Sequence, residues 1–221
     1  MTYKLKHIEI MIKNKPEFGV KEKREDPSSP LTIEDFNNLL NGLREDKKYQ
    51  WELYARISFV TALRSGDVLS LKWEDILNKD KLVFVERKRR KMRNITFSKS
   101  VQEKISELYE LLGKPNKELP IMTNNSTYKR TGKAIAYTQQ YINRKLKTFK
   151  LKYNLEIPIN KFQTHSFRKT FGKYVFESKG KSYEALALLN VIYNHSSIQQ
   201  TQTYIGLTDE KIQDIYGEIN F

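Results

Sequence analysis

Between residues 31 and 206 only one stretch is rich in β-strand residues, and it is short: KLVFVERKRRKMRNITF, residues 81–97. Two β-rich runs, Leu82 to Val85 and Asn94 to Phe97, flank a connection longer than a tight turn, the pattern of a single antiparallel hairpin. The rest of the chain repeats with a helical period. Phe36, Leu39, Leu40 and Leu43 share one helix face, after a Thr32 N-cap with Asp35 three residues on. Trp51, Tyr54, Ala55, Ile57, Ser58 and Ala62 mark the buried side of a second helix over about 49–63, followed by a turn at Gly66 and a short helix. ISELYELLG reads as a helix stopped at Gly113, and the run holding Pro115, Pro120 and NNST as a polar loop. Further helices are expected from Ala134 to Phe149, after Thr164, over YEALALLN, and over a polar segment at 197–205 capped by Ser197. One hairpin among this many helices predicts a mainly α protein with a small antiparallel β-sheet, an α+β domain.

Residues 1–30 mix charge with Pro16, Pro27 and Pro30 and read as an arm or linker, with a short strand at 3–13 if something pairs with it. Residues 31–206 form the expected domain. Residues 207–221 form an amphipathic tail helix whose apolar side is Ile212, Ile215 and Ile219. Whether that tail packs on its own domain or on a neighbouring copy is open from sequence. No apolar run approaches the ~20 residues of a membrane-spanning helix, and the N-terminus lacks the apolar core of a signal peptide. The chain has no cysteine, which excludes disulfides and thiolate metal sites. A cytoplasmic protein with no membrane partner is the expectation.

Forty Lys and Arg against 26 Asp and Glu give a formal net charge of +14, which favours a polyanionic partner. A Lys-heavy composition explains the same number, so position has to decide. Six of the seven residues 87–93 are basic: Arg87, Lys88, Arg89, Arg90, Lys91 and Arg93. Like charges this dense repel unless an anion shares them, and a basic hairpin tip is shaped to enter a DNA groove. Arg64 follows the apolar end of a helix, where alone it reads as a cation on the helix dipole, and Asp67 is placed to pair with it. His165 and Arg168 lie three apart at a helix start, where free N–H groups favour anions. His195 precedes Tyr204 by nine residues on a segment with almost no apolar stripe, so Tyr204 is expected on an exposed, weakly anchored helix.

Taken in order, TALRSGDVLSLKWEDI, THSFRKTFG and NHSSIQQTQTYIG resemble the motif set of the tyrosine recombinase (phage integrase) family, over residues 31–206. By position the resemblance makes Arg64 the first catalytic Arg and Asp67 its acidic support. Lys88 matches the β-turn Lys, with Lys91 as competitor. His165 and Arg168 match the His-x-x-Arg pair, His195 the later His, and Tyr204 the nucleophile. Ala62 stands where Gly is usual, Lys169 replaces a His, and Asn194 replaces the Gly before His195; Asn tolerates positive φ well.

The resemblance implies a site-specific recombinase of the integrase or excisionase type. It cuts and rejoins double-stranded DNA through a 3′-phosphotyrosyl link, without cofactor or metal. The partner implied is DNA bound as a homotetramer, with a monomer in free solution also open. Family members typically carry an N-terminal core-binding domain, for which residues 1–30 are too short. Two other readings stand beside this one: a DNA-binding relative that has lost catalysis, and a strand transferase of the type IB topoisomerase kind.

Overall fold

The computed structural model describes residues 28–88 and 90–207. The strand expected at residues 3–13, Arg89 and the tail with Ile212, Ile215 and Ile219 lie outside the described residues. Ten helices and one two-stranded sheet are described, in the order α1 (Ile33–Glu45), α2 (Tyr49–Thr61), α3 (Ser65–Val68), α4 (Trp73–Ile76), β1 (Lys81–Val85), β2 (Met92–Thr96), α5 (Lys99–Leu111), α6 (Asn125–Thr131), α7 (Gln139–Lys152), α8 (Ser166–Ser178), α9 (Tyr183–Tyr193) and α10 (Ile198–Tyr204). The mainly α fold with one antiparallel hairpin is therefore as the periodicity predicts.

Local signals set most helix starts. The Thr32 hydroxyl accepts the Asp35 amide, Ser182 accepts that of Ala185 and Ser197 that of Gln200. Asp35 does not fold back on its own helix. Its buried carboxylate reaches across the fold to the amides of Glu156 and Ile157, so a residue placed for a cap ties two distant segments. Three readings change. The NNST run begins α6 rather than continuing a loop, because Asn124 caps Thr127. α7 starts at Gln139, capped by Thr138, instead of at Ala134, since Ala136 is held in a bridge to Thr123. Gly66 likewise sits inside α3 rather than in a turn before it.

The larger core packs α1 and α2 against α5, α7 and the start of α8, around Tyr54, Trp73, Phe162 and Phe167. A smaller core joins α8, α9 and α10 through Phe176, Leu186, Leu189, Tyr193 and Ile205, with Ala62 from the end of α2. The site lies where these two cores meet. In the sheet, Lys81 pairs with Thr96 and Val85 with Met92. Beyond it the Glu86 amide donates to Lys91 O (2.9 Å) and the Arg90 amide to Glu86 O (2.8 Å), closing the basic turn. At the other end of the domain's sequence, Ser28 is buried, Leu31 N donates to Thr170 Oγ1 (2.9 Å), and Lys169 Nζ donates to Ser28 O (2.6 Å). The segment just before α1 is thus pinned to α8.

Candidate active site

Two left-handed residues aim the first groups. α2 ends at Ala62 with φ 48°, and the chain then turns so that Arg64 becomes the N-cap residue of α3. α9 ends at Asn194 with φ 55°, which delivers His195 to the same side. Both are places where an αL conformation suits Gly best, and Asn bears it at less cost than Ala.

Arg168, the third residue of α8, is 3% exposed. Its Nη1 donates to Ala62 O, and its Nη2 donates to Tyr193 O at 3.0 Å. One guanidinium therefore joins the end of α2, two residues from Arg64, to the end of α9, two residues from His195. Its plane rests on the Tyr193 ring, with Cζ 4.6 Å from the centroid. Burial pulls the Arg168 pKa down, the nearby tyrosines oppose this, and the positive charges of Arg64 and Arg93 add to the depression.

Tyr204 closes the cluster. Its ring lies edge-on to His195 (centroids 5.2 Å) and to Tyr193 (5.0 Å), with Arg168 Cζ 6.0 Å and Lys169 Nζ 5.2 Å from its centroid. The expectation of an exposed tyrosine on a weakly anchored helix is not met. Tyr204 is half-buried, its hydroxyl oxygen is shielded from solvent, and α10 is fastened through Thr201, which is fully buried. The reason is polar rather than apolar packing. Thr201 Oγ1 donates to Asn190 Oδ1 (3.0 Å) and lies 3.0 Å from His195 Nδ1. With the single hydroxyl hydrogen spent on Asn190, Thr201 accepts from His195, so Nδ1 carries the ring proton.

Arg64 does not pair with Asp67. Its Nη1 donates to Glu86 Oε2 at 2.8 Å, while Arg93 Nη1 donates to Glu86 Oε1 at 3.0 Å. The hairpin brings this acid in from 22 residues away, which no local reading of Arg64 could supply. Asp67 is buried, and its Oδ1 accepts the Arg87 amide (3.1 Å), fixing the start of the basic turn. Burial raises the Asp67 pKa, and the Glu86 charge adds to the rise. Glu86 is also buried, which raises its pKa, but Arg64 and Arg93 outweigh this and hold it below the ordinary value.

His165 occupies the N-cap position of α8 and is half-buried. The residue before it is locked by Thr164 N donating to Asn143 Oδ1 (2.9 Å) and Gln139 Nε2 donating to Thr164 Oγ1 (3.2 Å). In the basic turn Arg87, Lys88 and Arg90 are exposed. Lys88 makes no hydrogen bond or ion pair among the described residues, whereas Lys91 Nζ donates to Asn194 Oδ1 at 2.9 Å. Arg93, expected to face DNA with the others, is turned inward to Glu86 with only 13% of its side chain exposed. The structure thus brings Arg168, His195 and Tyr204 into one cluster, with Arg64 two residues beyond the Arg168 anchor at Ala62 and tied to the hairpin through Glu86. Sequence reasoning missed Glu86, Thr201 and Tyr193. Glu86 did leave a trace, as a lone acid at the edge of six cations.

The sequence profile of the phage integrase family matches residues 30–211. The chain belongs to the phage integrase family. It is a tyrosine recombinase, an enzyme of DNA breaking and rejoining. The recombinase is 34% identical over 185 residues to the probable integrase/recombinase YoeC of Bacillus subtilis (strain 168), a match spanning 80% of this chain and 92% of that one. In fold it is similar to the XerA recombinase, with a TM-score of 0.63 at 16% identity over 98% of this chain and 74% of the other. It is similar too to the catalytic domain of bacteriophage HP1 integrase, with a TM-score of 0.51 at 21% identity over 86% and 95% of the two chains. Among the described residues, no helix of the recombinase is long and apolar enough to cross a membrane.

Proposed function

We propose that residues 31–206 are a catalytic domain that exchanges DNA phosphodiesters through a 3′-phosphotyrosyl intermediate, with Tyr204 as nucleophile. Tyr204 Oη attacks the scissile phosphorus, the P–O5′ bond breaks, and a Tyr204–phosphate bond forms. The phenolic proton passes to His165, and the leaving 5′-oxygen takes a proton from Lys88. A 5′-hydroxyl of another strand reverses the step. One phosphodiester replaces another, so the energy of the bond is conserved in the protein–DNA link and no nucleotide is consumed.

Negative charge builds on the nonbridging oxygens as phosphorus becomes five-coordinate. Arg64 and Arg168 meet it with planar, multidentate donors that a lysine cannot reproduce. A preorganised donor of this kind contributes about 3–4 kcal/mol to the transition state. His195, with Nδ1–H on Thr201, donates from Nε2 when the ring is protonated. Lys88, on the exposed turn, is the general acid, and Lys91 holds that turn against Asn194. Arg87 and Arg90, with Arg89, carry the flanking phosphates. The sequestered Tyr204 hydroxyl must turn outward to reach its target, and α10 is short enough to yield. DNA-bound tetramers and work in the DNA-containing cytoplasm complete the reading.

The observation that carries it is the convergence of Arg168 and His195 on the Tyr204 ring, with Arg64 held two residues beyond Arg168's anchor at Ala62. The test is a duplex nicked beside the scissile phosphate, so that cleavage releases a short strand and traps the protein. A covalent adduct from the wild type, absent in Tyr204→Phe, is expected. A shifted DNA band with no adduct identifies a pure binder instead, and relaxation of any supercoiled plasmid identifies topoisomerase behaviour.

A further inference from the structure

Glu86 is the one acid in the basic hairpin, and it is fully buried. A buried carboxylate is costly unless each oxygen is satisfied by a cation or donor. Here the two oxygens are divided between elements. Oε2 takes Arg64 from the N-cap of α3, and Oε1 takes Arg93 from β2. Asn194 Nδ2, at the C-cap of α9, lies 3.5 Å from Oε2, and its Oδ1 accepts Lys91 of the hairpin. Glu86 therefore joins the segments that carry Arg64, the basic turn and His195.

The exposures are unequal in a telling way. The Arg64 side chain is 20% exposed and that of Glu86 is 0%, so the carboxylate holds the guanidinium from its buried side. Only Nη1 of Arg64 is hydrogen-bonded among the described residues. Nε and Nη2 stay available for a second anion on the open side. A lone glutamate there would repel a phosphate, but Arg93 cancels its charge. The trio of two arginines and one glutamate keeps one net positive charge.

We propose that Glu86 is a positioning residue for the recombinase reaction: it fixes the Arg64 guanidinium against one nonbridging oxygen of the scissile phosphate, while Arg93 neutralises it. This rests on the phosphotyrosyl reading above. Glu86 touches neither the DNA nor the reacting atoms. Its effect passes through the direction of Arg64, and a misplacement of about 1 Å at such a donor costs about 10²-fold in rate.

The test uses the nicked duplex with the scissile phosphate as diester, or as either of the two phosphorothioate diastereomers. In Glu86→Gln, adduct formation at saturating DNA should slow by about 10- to 100-fold, with the dissociation constant for DNA little changed; the melting temperature falls because Arg64 and Arg93 lose their buried counter-charge, so rates are read below it. The rate ratio between the two diastereomers should move toward one, because Arg64 no longer selects one oxygen. Glu86→Asp keeps the charge and therefore the fold, but shortens the reach. It should move both readouts the same way by less. A slower Glu86→Gln with an unmoved diastereomer ratio, a wild-type ratio of one, or an unchanged rate overturns the proposal. Absence of any adduct from the wild type instead sinks the phosphotyrosyl reading itself, so the two failures are distinct.

Discussion

Gly172 sits in the middle of α8, one turn beyond Arg168, where a side chain has no room. A Cβ built there would lie 2.0 Å from Tyr193 Oη and 3.0 Å from Tyr193 Cζ and Ile205 Cγ2. Gly172→Ala must therefore push Tyr193 aside. Overpacking of this kind costs about 1–3 kcal/mol. The push also strains the bond from Tyr193 Oη to Arg168 O, now 2.7 Å, and a buried hydroxyl left unsatisfied costs about 1–3 kcal/mol more. Alanine recovers about 1 kcal/mol of helix propensity. The net is a destabilisation of roughly 1–5 kcal/mol, or about 2–20 °C in melting temperature for a chain of this size. Because the Tyr193 ring lies under Arg168, adduct formation should fall by about 10²-fold as well. Tyr193→Phe removes the oxygen at 2.0 Å and leaves the nearest contact at 3.0 Å. The double variant should then be more stable than the sum of the singles by about 1–2 kcal/mol in urea unfolding. A Gly172→Ala protein that melts with the wild type, or strictly additive singles, would refute the steric argument.

Lys88→Ala should slow cleavage by about 10²–10⁴-fold, more than Lys91→Ala, in single-turnover adduct assays. A substrate with sulfur at the 5′-bridging position should rescue Lys88→Ala, because a thiolate leaves without a proton; rescue of Lys91→Ala instead would move the general acid to Lys91. Thr201→Val deletes the hydroxyl that receives His195 Nδ1–H, at a cost of about one hydrogen bond. An approximately 10-fold slower adduct with unchanged DNA affinity is expected, restored by Thr201→Ser. The raised pKa of Asp67 means that its ionisation opposes folding: stability is lost as pH rises from the unfolded carboxylate value, about 3.9, through the folded one. Asp67→Asn keeps an oxygen for the Arg87 amide, so thermal melts should show it more stable than wild type at pH 7 and equal to it below about pH 3.9. A gap that widens toward acid would reverse the assignment.

Much of the fold was legible because its signals are local. The caps at Thr32, Ser182 and Ser197 act over three residues, and helical periodicity over four, so sequence order states them directly. Where a long-range contact overrides a local one, the reading shifts. The bridge between Thr123 and Ala136 delays α7, and the Asp35 carboxylate serves residues 156–157 rather than its own helix. The site followed the same rule. The order and spacing of Arg64, His165, Arg168, His195 and Tyr204 marked them as a set, but not what holds each in place. Arg64 looked paired to Asp67, three residues away, and is paired to Glu86 instead.

The sequence alone determined that this is a helical domain with one basic hairpin, and it placed Arg64, His165, Arg168, His195 and Tyr204 in the order and spacing of the family's motifs. Only the tertiary structure decided that Arg168 bolts Ala62 to Tyr193, that Thr201 sets the proton on His195, and that the Tyr204 hydroxyl is enclosed. Helix caps and periods are made by neighbours in the chain. The partners of a buried charge are made by closure of the fold, and Lys91 meets Asn194 across 103 residues only once the two cores have packed.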